Sequence, residues 1–283
     1  MTNSSLQRIG FMQGRLSPLV DGKIQAFPWA EWREEFPRAK ALGLTRMEWT
    51  IDQDRLHENP LMTEAGQAEI RAAARDNGLR IPSLTGDCFM QAPFWKATGD
   101  NQIALLDDLD RLIGSCSRLG VEFIVIPLVD NGSIDNADQE AVLLRALTAR
   151  TSMLIAHCVK IVFESDLQPE PLASFIAKLP RETFGINYDI GNSAALGYDA
   201  ALEIAAYAPR ILNVHVKDRM RGGTTVPLGT GAADIAKAIR LIEQSGYAGQ
   251  YVLQTARAAD DNHAAALARY RDMTVAWIDE AHR

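Results

Sequence analysis

Four short apolar runs in the second half of the chain each close on a side chain able to bind a cation or move a proton. They are Val162-Phe163-Glu164, Asn187-Tyr188-Asp189, Asn213-Val214-His215 and Val252-Leu253-Gln254. Two carboxylates, an imidazole and an amide oxygen can surround one divalent ion. Such a set, rich in oxygen with a single nitrogen, suits Mn²⁺, Mg²⁺ or Co²⁺ better than structural Zn²⁺, which prefers sulfur and several imidazoles. Taken singly, each residue reads more readily as a hydrogen-bond partner that anchors a loop. Four ligand types in succession favour a site.

The elements that must position these residues alternate in kind. Short runs rich in β-branched or aromatic residues occur at Ile9–Met12, Arg46–Ile51, Arg80–Leu84, Val121–Ile126, Val159–Phe163, Phe184–Tyr188, Ile211–Val216 and Tyr251–Leu253. Most lack clean period-2 alternation, as expected of parallel strands buried on both faces. Between them lie Ala- and Leu-rich stretches with helical spacing, including Gln102–Leu119 and Gln139–His157. Asp199 and Asn262 stand where helix N-caps belong, and Gly43, Gly78, Gly120 and Gly246 where helices end. Eight strands in 283 residues give about 35 residues per unit, the length of one strand and one helix. No linker or low-complexity tract divides the chain, so residues 1–283 read as a single domain, a (β/α)8 barrel. A doubly wound open sheet is the rival. Its glycine-rich first turn is missing, because Gln13-Gly14-Arg15-Leu16-Ser17-Pro18 lacks G-x-G-x-x-G.

In such barrels chemistry sits at the C-terminal strand ends. Gln13 and Arg15 end the first strand there, and Arg15 could clamp a carboxylate or phosphate. Asp87 follows the third strand and reads as a loop anchor. Gly229-Thr230-Gly231 precedes the seventh helix, whose N-terminus permits an anion, although a tight turn explains it as well. Trp29, Trp32, Phe89, Phe94 and Trp95 could wall a pocket or, if exposed, form a homodimer interface. His57, His157, His263 and His282 fall away from the rim.

Phe163-Glu164, Tyr188-Asp189-Ile190-Gly191-Asn192, Val214-His215-Val216-Lys217-Asp218 and Gly229-Thr230-Gly231-Ala232-Ala233-Asp234 together resemble the xylose isomerase-like barrel superfamily. The likeness runs along essentially the whole chain. It is strongest to the sugar-phosphate isomerase/epimerase branch, which includes tagatose 3-epimerase, ribulose-phosphate 3-epimerase and hydroxypyruvate isomerase. The resemblance implies that Glu164, Asp189 and His215 are three of four metal ligands. The fourth, a glutamate in the branch, is here Gln254. In the epimerases the first and last glutamates are also the two bases, and an amide cannot take up a proton at neutral pH. Glu164 then acts as base, with Lys217 the candidate second acid/base. The resemblance further implies substrate contacts from Glu48, from Asn192 (a histidine in the epimerases) and from Arg221. One rim histidine is too few for the trinuclear zinc site of endonucleases built on the same barrel.

A formal net charge of −7 argues against affinity built on nucleic acid phosphates. Three scattered cysteines make no disulfide framework, the N-terminal residues contain no apolar signal-length run, and Phe123–Val129 is too short to span a bilayer. The expectation is a cytoplasmic, divalent-metal-dependent isomerase or epimerase. It would act on a small sugar, ketose or sugar phosphate through an enediolate, without nucleic acid or membrane partners. The alternatives are a sugar-binding barrel without the chemistry, or a metal-dependent lyase or hydrolase that needs one base only.

Overall fold

The computed structural model describes residues 4–283, so Met1 to Asn3, at the start of the expected domain, lie outside the described residues. Eight parallel strands close into a barrel: β1 (Ile9–Met12), β2 (Arg46–Ile51), β3 (Arg80–Gly86), β4 (Phe123–Leu128), β5 (Lys160–Ser165), β6 (Phe184–Asp189), β7 (Ile211–Val216) and β8 (Tyr251–Leu253). Sequence neighbours pair throughout, and β1 closes the ring by pairing with both β2 and β8. Four strands have the bounds their apolar runs predict. β4 starts two residues later, because the Val121 amide is used to cap the preceding helix at Cys116 O.

The helices form the outer ring, each burying an apolar stripe against the strands. In helix Gly99–Leu119 the buried Leu105, Leu109, Leu112, Ile113 and Cys116 recur at helical spacing. Asp199 and Asn262 cap their helices as expected, accepting from Ala201 N and Ala265 N respectively. The stretch expected as one helix, Gln139–His157, is two, Ala137–Thr148 and Thr151–His157. Arg150 at the break is drawn to Asp110 by bonds of 2.5 and 3.0 Å, which pins the turn. No helix among the described residues is long and apolar enough to cross a membrane. Trp32, Phe94 and Trp95 are buried in the chain's own core, and Trp29 is partly buried beneath the Arg55 guanidinium, so they offer no exposed aromatic interface.

The interior of the barrel departs from the usual layers of branched apolar side chains. Alternate residues of several strands, which share one face, carry polar groups inward: Glu48, Ser83 and Thr85, Asn187 and Asp189, Asn213 and His215. They bond one another across the barrel. Asn213 Nδ2 of β7 donates to Glu48 Oε2 of β2 at 2.9 Å and to Asn187 Oδ1 of β6 at 2.9 Å. The intervening residues, such as Trp49, Ile186 and Val214, pack outward under the helices.

Candidate active site

Strand register brings the ligand-type residues to one level: Asp189 lies beside His215, and His215 beside Val252, one turn of pleat below Gln254. Ligand atoms of Glu164, Asp189 and His215 lie within 4.8 Å of one another, and all three residues are buried. Glu164 is the one that also faces the open mouth, a cavity of about 540 Å³ whose wall includes Asp87, Asn192, Lys217 and Gln254. Asp189 and His215 lie beneath its floor with no exposed side-chain surface.

His215 is held at both ring nitrogens. Nε2 is 2.7 Å from Glu48 Oε1, and Nδ1 is 3.1 Å from Glu164 Oε2 and 3.9 Å from Asp189 Oδ2. Burial alone would push the imidazolium down, but the charge of Glu48 and the bonds to Glu164 and Glu48 outweigh it and hold the group up to about 10. Glu48 in turn is kept below the usual carboxylate range. Burial opposes this, but His215 and the hydroxyls of Ser83 and Thr85 prevail. Thus Nδ1 is the nitrogen that faces Glu164 and Asp189, and Glu48 fixes the orientation of the ring from behind.

Glu164 Oε1 accepts from Asn192 Nδ2 at 2.5 Å, and Oε2 from Asn187 Nδ2 at 3.1 Å. Lys217 Nζ donates to Asp189 Oδ2 at 2.9 Å and to Asn192 Oδ1 at 3.3 Å. Its ion-pair partner is thus Asp189 and not the adjacent Asp218. Gly191 lets this contact form, since a Cβ there would stand 2.8 Å from Lys217 Cγ. Gln254 Nε2 donates to Gln25 Oε1 at 3.0 Å, while its own Oε1 is buried with no partner among the described residues. An orphaned carbonyl at the end of the strand that pairs with that of His215, together with an O, O, N donor set free of thiolate, fits a divalent ion.

The expected substrate contacts separate into groups. Arg15 and Asn192 line the cavity. Arg15 is driven down to about 9 by burial and by the nearby Arg257. Gln13 is fully buried below the mouth, where its Oε1 accepts from Thr50 N at 3.1 Å. Glu48 accepts from Ser83, Thr85, Asn213 and His215, and so serves the imidazole from below the floor. Arg221 lies outside the mouth, exposed and packed against Gly197, where φ is +82°. Arg219 takes the rim position instead, donating to Asn192 Oδ1 at 2.8 Å. The amides of the glycine turn are already occupied: Gly229 N, Gly231 N and Ala233 N donate to the Asp218 carboxylate at 2.9, 2.9 and 3.1 Å. A carboxylate of the chain itself fills the place where an anion was permitted. Ser83, Asn187, Asn213 and Gln25 were not picked out from sequence. The first three stand two residues from other polar strand residues, an i, i+2 signal that was available.

A family model described as xylose isomerase-like TIM barrel matches residues 36–273. The chain is 26% identical over 268 residues to L-ribulose-5-phosphate 3-epimerase UlaE of Escherichia coli strain K12, covering 91% of this chain and 94% of the relative. It shares a TM-score of 0.72 and 17% identity with a xylose isomerase-like TIM barrel protein from Mycobacterium smegmatis in complex with magnesium, over 99% of both chains. With 3-keto-D-glucoside 4-epimerase YcjR from E. coli the TM-score is 0.69 at 16% identity, over 97% of this chain and 99% of that one.

Proposed function

Because the chain belongs to the xylose isomerase-like TIM barrel family, we propose that it is a divalent-metal-dependent isomerase or epimerase. Its substrate would be a small sugar or ketose. The observation that carries this reading is the convergence of Glu164, Asp189 and His215 beneath a sugar-sized cavity. The names of the relatives, an L-ribulose-5-phosphate 3-epimerase and a 3-keto-D-glucoside 4-epimerase, support the reaction class.

A divalent ion held by Glu164, Asp189, His215 Nδ1 and the Gln254 carbonyl would polarise a substrate carbonyl and its neighbouring hydroxyl. Glu164, the ligand that also faces the mouth, takes the proton from the carbon next to that carbonyl and so generates the enediolate. Asn192 and Asn187 hold its two oxygens in place for that task. Lys217, whose ammonium reaches the same wall, is the second proton donor. Glu48 holds the Nε2 proton of His215, so that Nδ1 is the nitrogen left for the ion once the imidazolium gives up a proton.

The cavity wall favours an uncharged substrate. Four carboxylates (Asp87, Asp130, Glu164 and Asp166) face three cations (Arg15, Lys217 and Arg219). Lys217 and Arg219 are already engaged by Asp189, Asn192 and Gly223 O. All three cysteines are free, in keeping with a cytoplasmic enzyme. A lyase reaction that needs one base draws on the same Glu164 and is told apart by its product. The test is metal analysis of the purified protein, with exchange of a carbon-bound proton in deuterated water over free and phosphorylated ketoses. Protein that binds no divalent ion and catalyses no exchange would overturn the proposal.

A further inference from the structure

Three side chains at the mouth form a relay with only one possible sense. Asp87, buried just after β3, accepts at Oδ2 from Gln25 Nε2 at 2.6 Å. Gln25 Oε1 accepts from Gln254 Nε2 at 3.0 Å and from Arg15 Nη2 at 3.2 Å. A guanidinium only donates, and the Asp87 carboxyl, which burial pushes up to about 7, only accepts once ionised above that pH. Asp87 therefore demands the amide NH2 of Gln25, and Arg15 independently demands its carbonyl. With Gln25 fixed by both, Gln254 must turn its own NH2 toward Gln25. Its Oε1 then faces away, buried and without a partner among the described residues.

We propose that Asp87 is a positioning residue: acting through Gln25, it sets the polarity of the Gln254 amide so that the carbonyl oxygen is free to bind a divalent cation. This rests on the metal site of the proposed function. It also accounts for the amide at position 254. A carboxylate there would meet the Gln25 carbonyl, acceptor against acceptor, and Gln25 cannot turn over without opposing both Asp87 and Arg15. The β3-end carboxylate and the β8-end amide thus belong together.

The test is a double-mutant cycle on Mn²⁺ affinity, read by electron paramagnetic resonance, with Asp87→Asn, Gln254→Leu and the pair, all in an Arg15→Met background so that Asp87 alone holds Gln25. Asparagine can donate or accept, so with Arg15 removed it takes away the sense of the relay while keeping its size. Asp87→Asn should weaken Mn²⁺ about tenfold, the lower end for residues that orient a ligand. In the Gln254→Leu background it should change nothing further. No effect of Asp87→Asn, or an equal effect in both backgrounds (the mark of a remote charge), would overturn the proposal. A second measurement needs no metal. In protein kept in chelator at pH 8, Gln254→Glu should melt several degrees below the unmodified protein. An unchanged or higher melting temperature would overturn the relay. If the unmodified protein bound no Mn²⁺, the metal site would fall, and the melting result alone would judge the relay.

Discussion

Glu48→Gln should disable the proposed metal site from behind while keeping nearly the same shape. Glu48 Oε2 accepts from Ser83 Oγ at 2.7 Å and Asn213 Nδ2 at 2.9 Å; Oε1 accepts from Thr85 Oγ1 at 2.5 Å and His215 Nε2 at 2.7 Å. Four donors meet two oxygens, so an amide NH2 at either position faces donors. Asn213 is locked by Asn187 Oδ1 and by Gln250 Nε2, which donates to Asn213 Oδ1 at 3.0 Å. The new NH2 must therefore take the His215 side. His215 Nε2 then becomes an acceptor, and the now neutral ring keeps its one proton on Nδ1, the nitrogen that faces Glu164 and Asp189.

Two magnitudes follow. Loss of a residue that orients a metal-binding histidine costs roughly 10–100-fold in metal affinity. The loss of charge-assisted bonds in a buried pair costs about 3 kcal/mol, which for a chain of this size lowers the melting temperature by roughly 5 °C. The pH dependence has a definite sign. His215 is raised from 6.5 to about 10 in the folded protein, so its stabilisation is complete below about pH 6.5 and is lost as pH rises through about 10. Glu48 is depressed, so its share is present above the ordinary glutamate range and fades as pH falls below it. The gap in melting temperature between the two proteins, measured in chelator, should be widest between about pH 5 and 6.5 and should narrow toward pH 10. A gap that ignores pH, or Mn²⁺ affinity equal to that of the unmodified protein, would refute the reasoning.

Three further outcomes follow from the same geometry. With its imidazolium held up to about 10, His215 carries a proton on Nδ1 at pH 7, so metal binding should release about one proton and tighten about tenfold per pH unit. Calorimetry in buffers of different ionisation enthalpy would reveal this, and a buffer-independent heat would refute it. Lys217→Met removes the ammonium from Asp189 Oδ2; Mn²⁺ should bind more tightly while proton exchange on the substrate falls, and weaker Mn²⁺ binding would contradict the competition. Asp218→Ala strips the partner from three loop amides and should cost about 2–3 kcal/mol in denaturant unfolding, with an unchanged midpoint counting against the role.

The rim was legible because each of β5 to β8 ends an apolar run with one polar residue, a local signal. The layer beneath was not, because its bonds are set by closure of the barrel. His215 and Glu48 are 167 positions apart, and Gln254 and Gln25 are 229 apart. No spacing rule reaches that far. The same distinction explains the arginines. Along β7 and just beyond it, His215, Lys217 and Arg219 keep the inward alternation of an extended chain. Arg221 falls past it, in the turn joining the short hairpin strands Asp218–Arg219 and Thr225–Val226. A motif offset pointed to Arg221, whereas the pleat brings Arg219 to the cavity wall. The glycine turn was ambiguous for a different reason: its anion partner is Asp218, more than ten residues earlier.

A polar barrel interior has an electrostatic consequence. Buried carboxylates are costly unless paired, and Glu48, Glu164 and Asp189 are crowded together through His215. Protons and lysine do the pairing here, with His215 as imidazolium between Glu48 and Glu164, and Lys217 on Asp189. These are the same groups whose positions a divalent ion would contest, since it needs His215 Nδ1 without a proton and Asp189 Oδ2 without its ammonium. Glu48 is the exception. Its four donors leave it no lone pair to offer, so it stays in place whichever cation balances the others. One carboxylate with every lone pair engaged would thus keep the imidazole in place while the counter-charges of Glu164 and Asp189 changed.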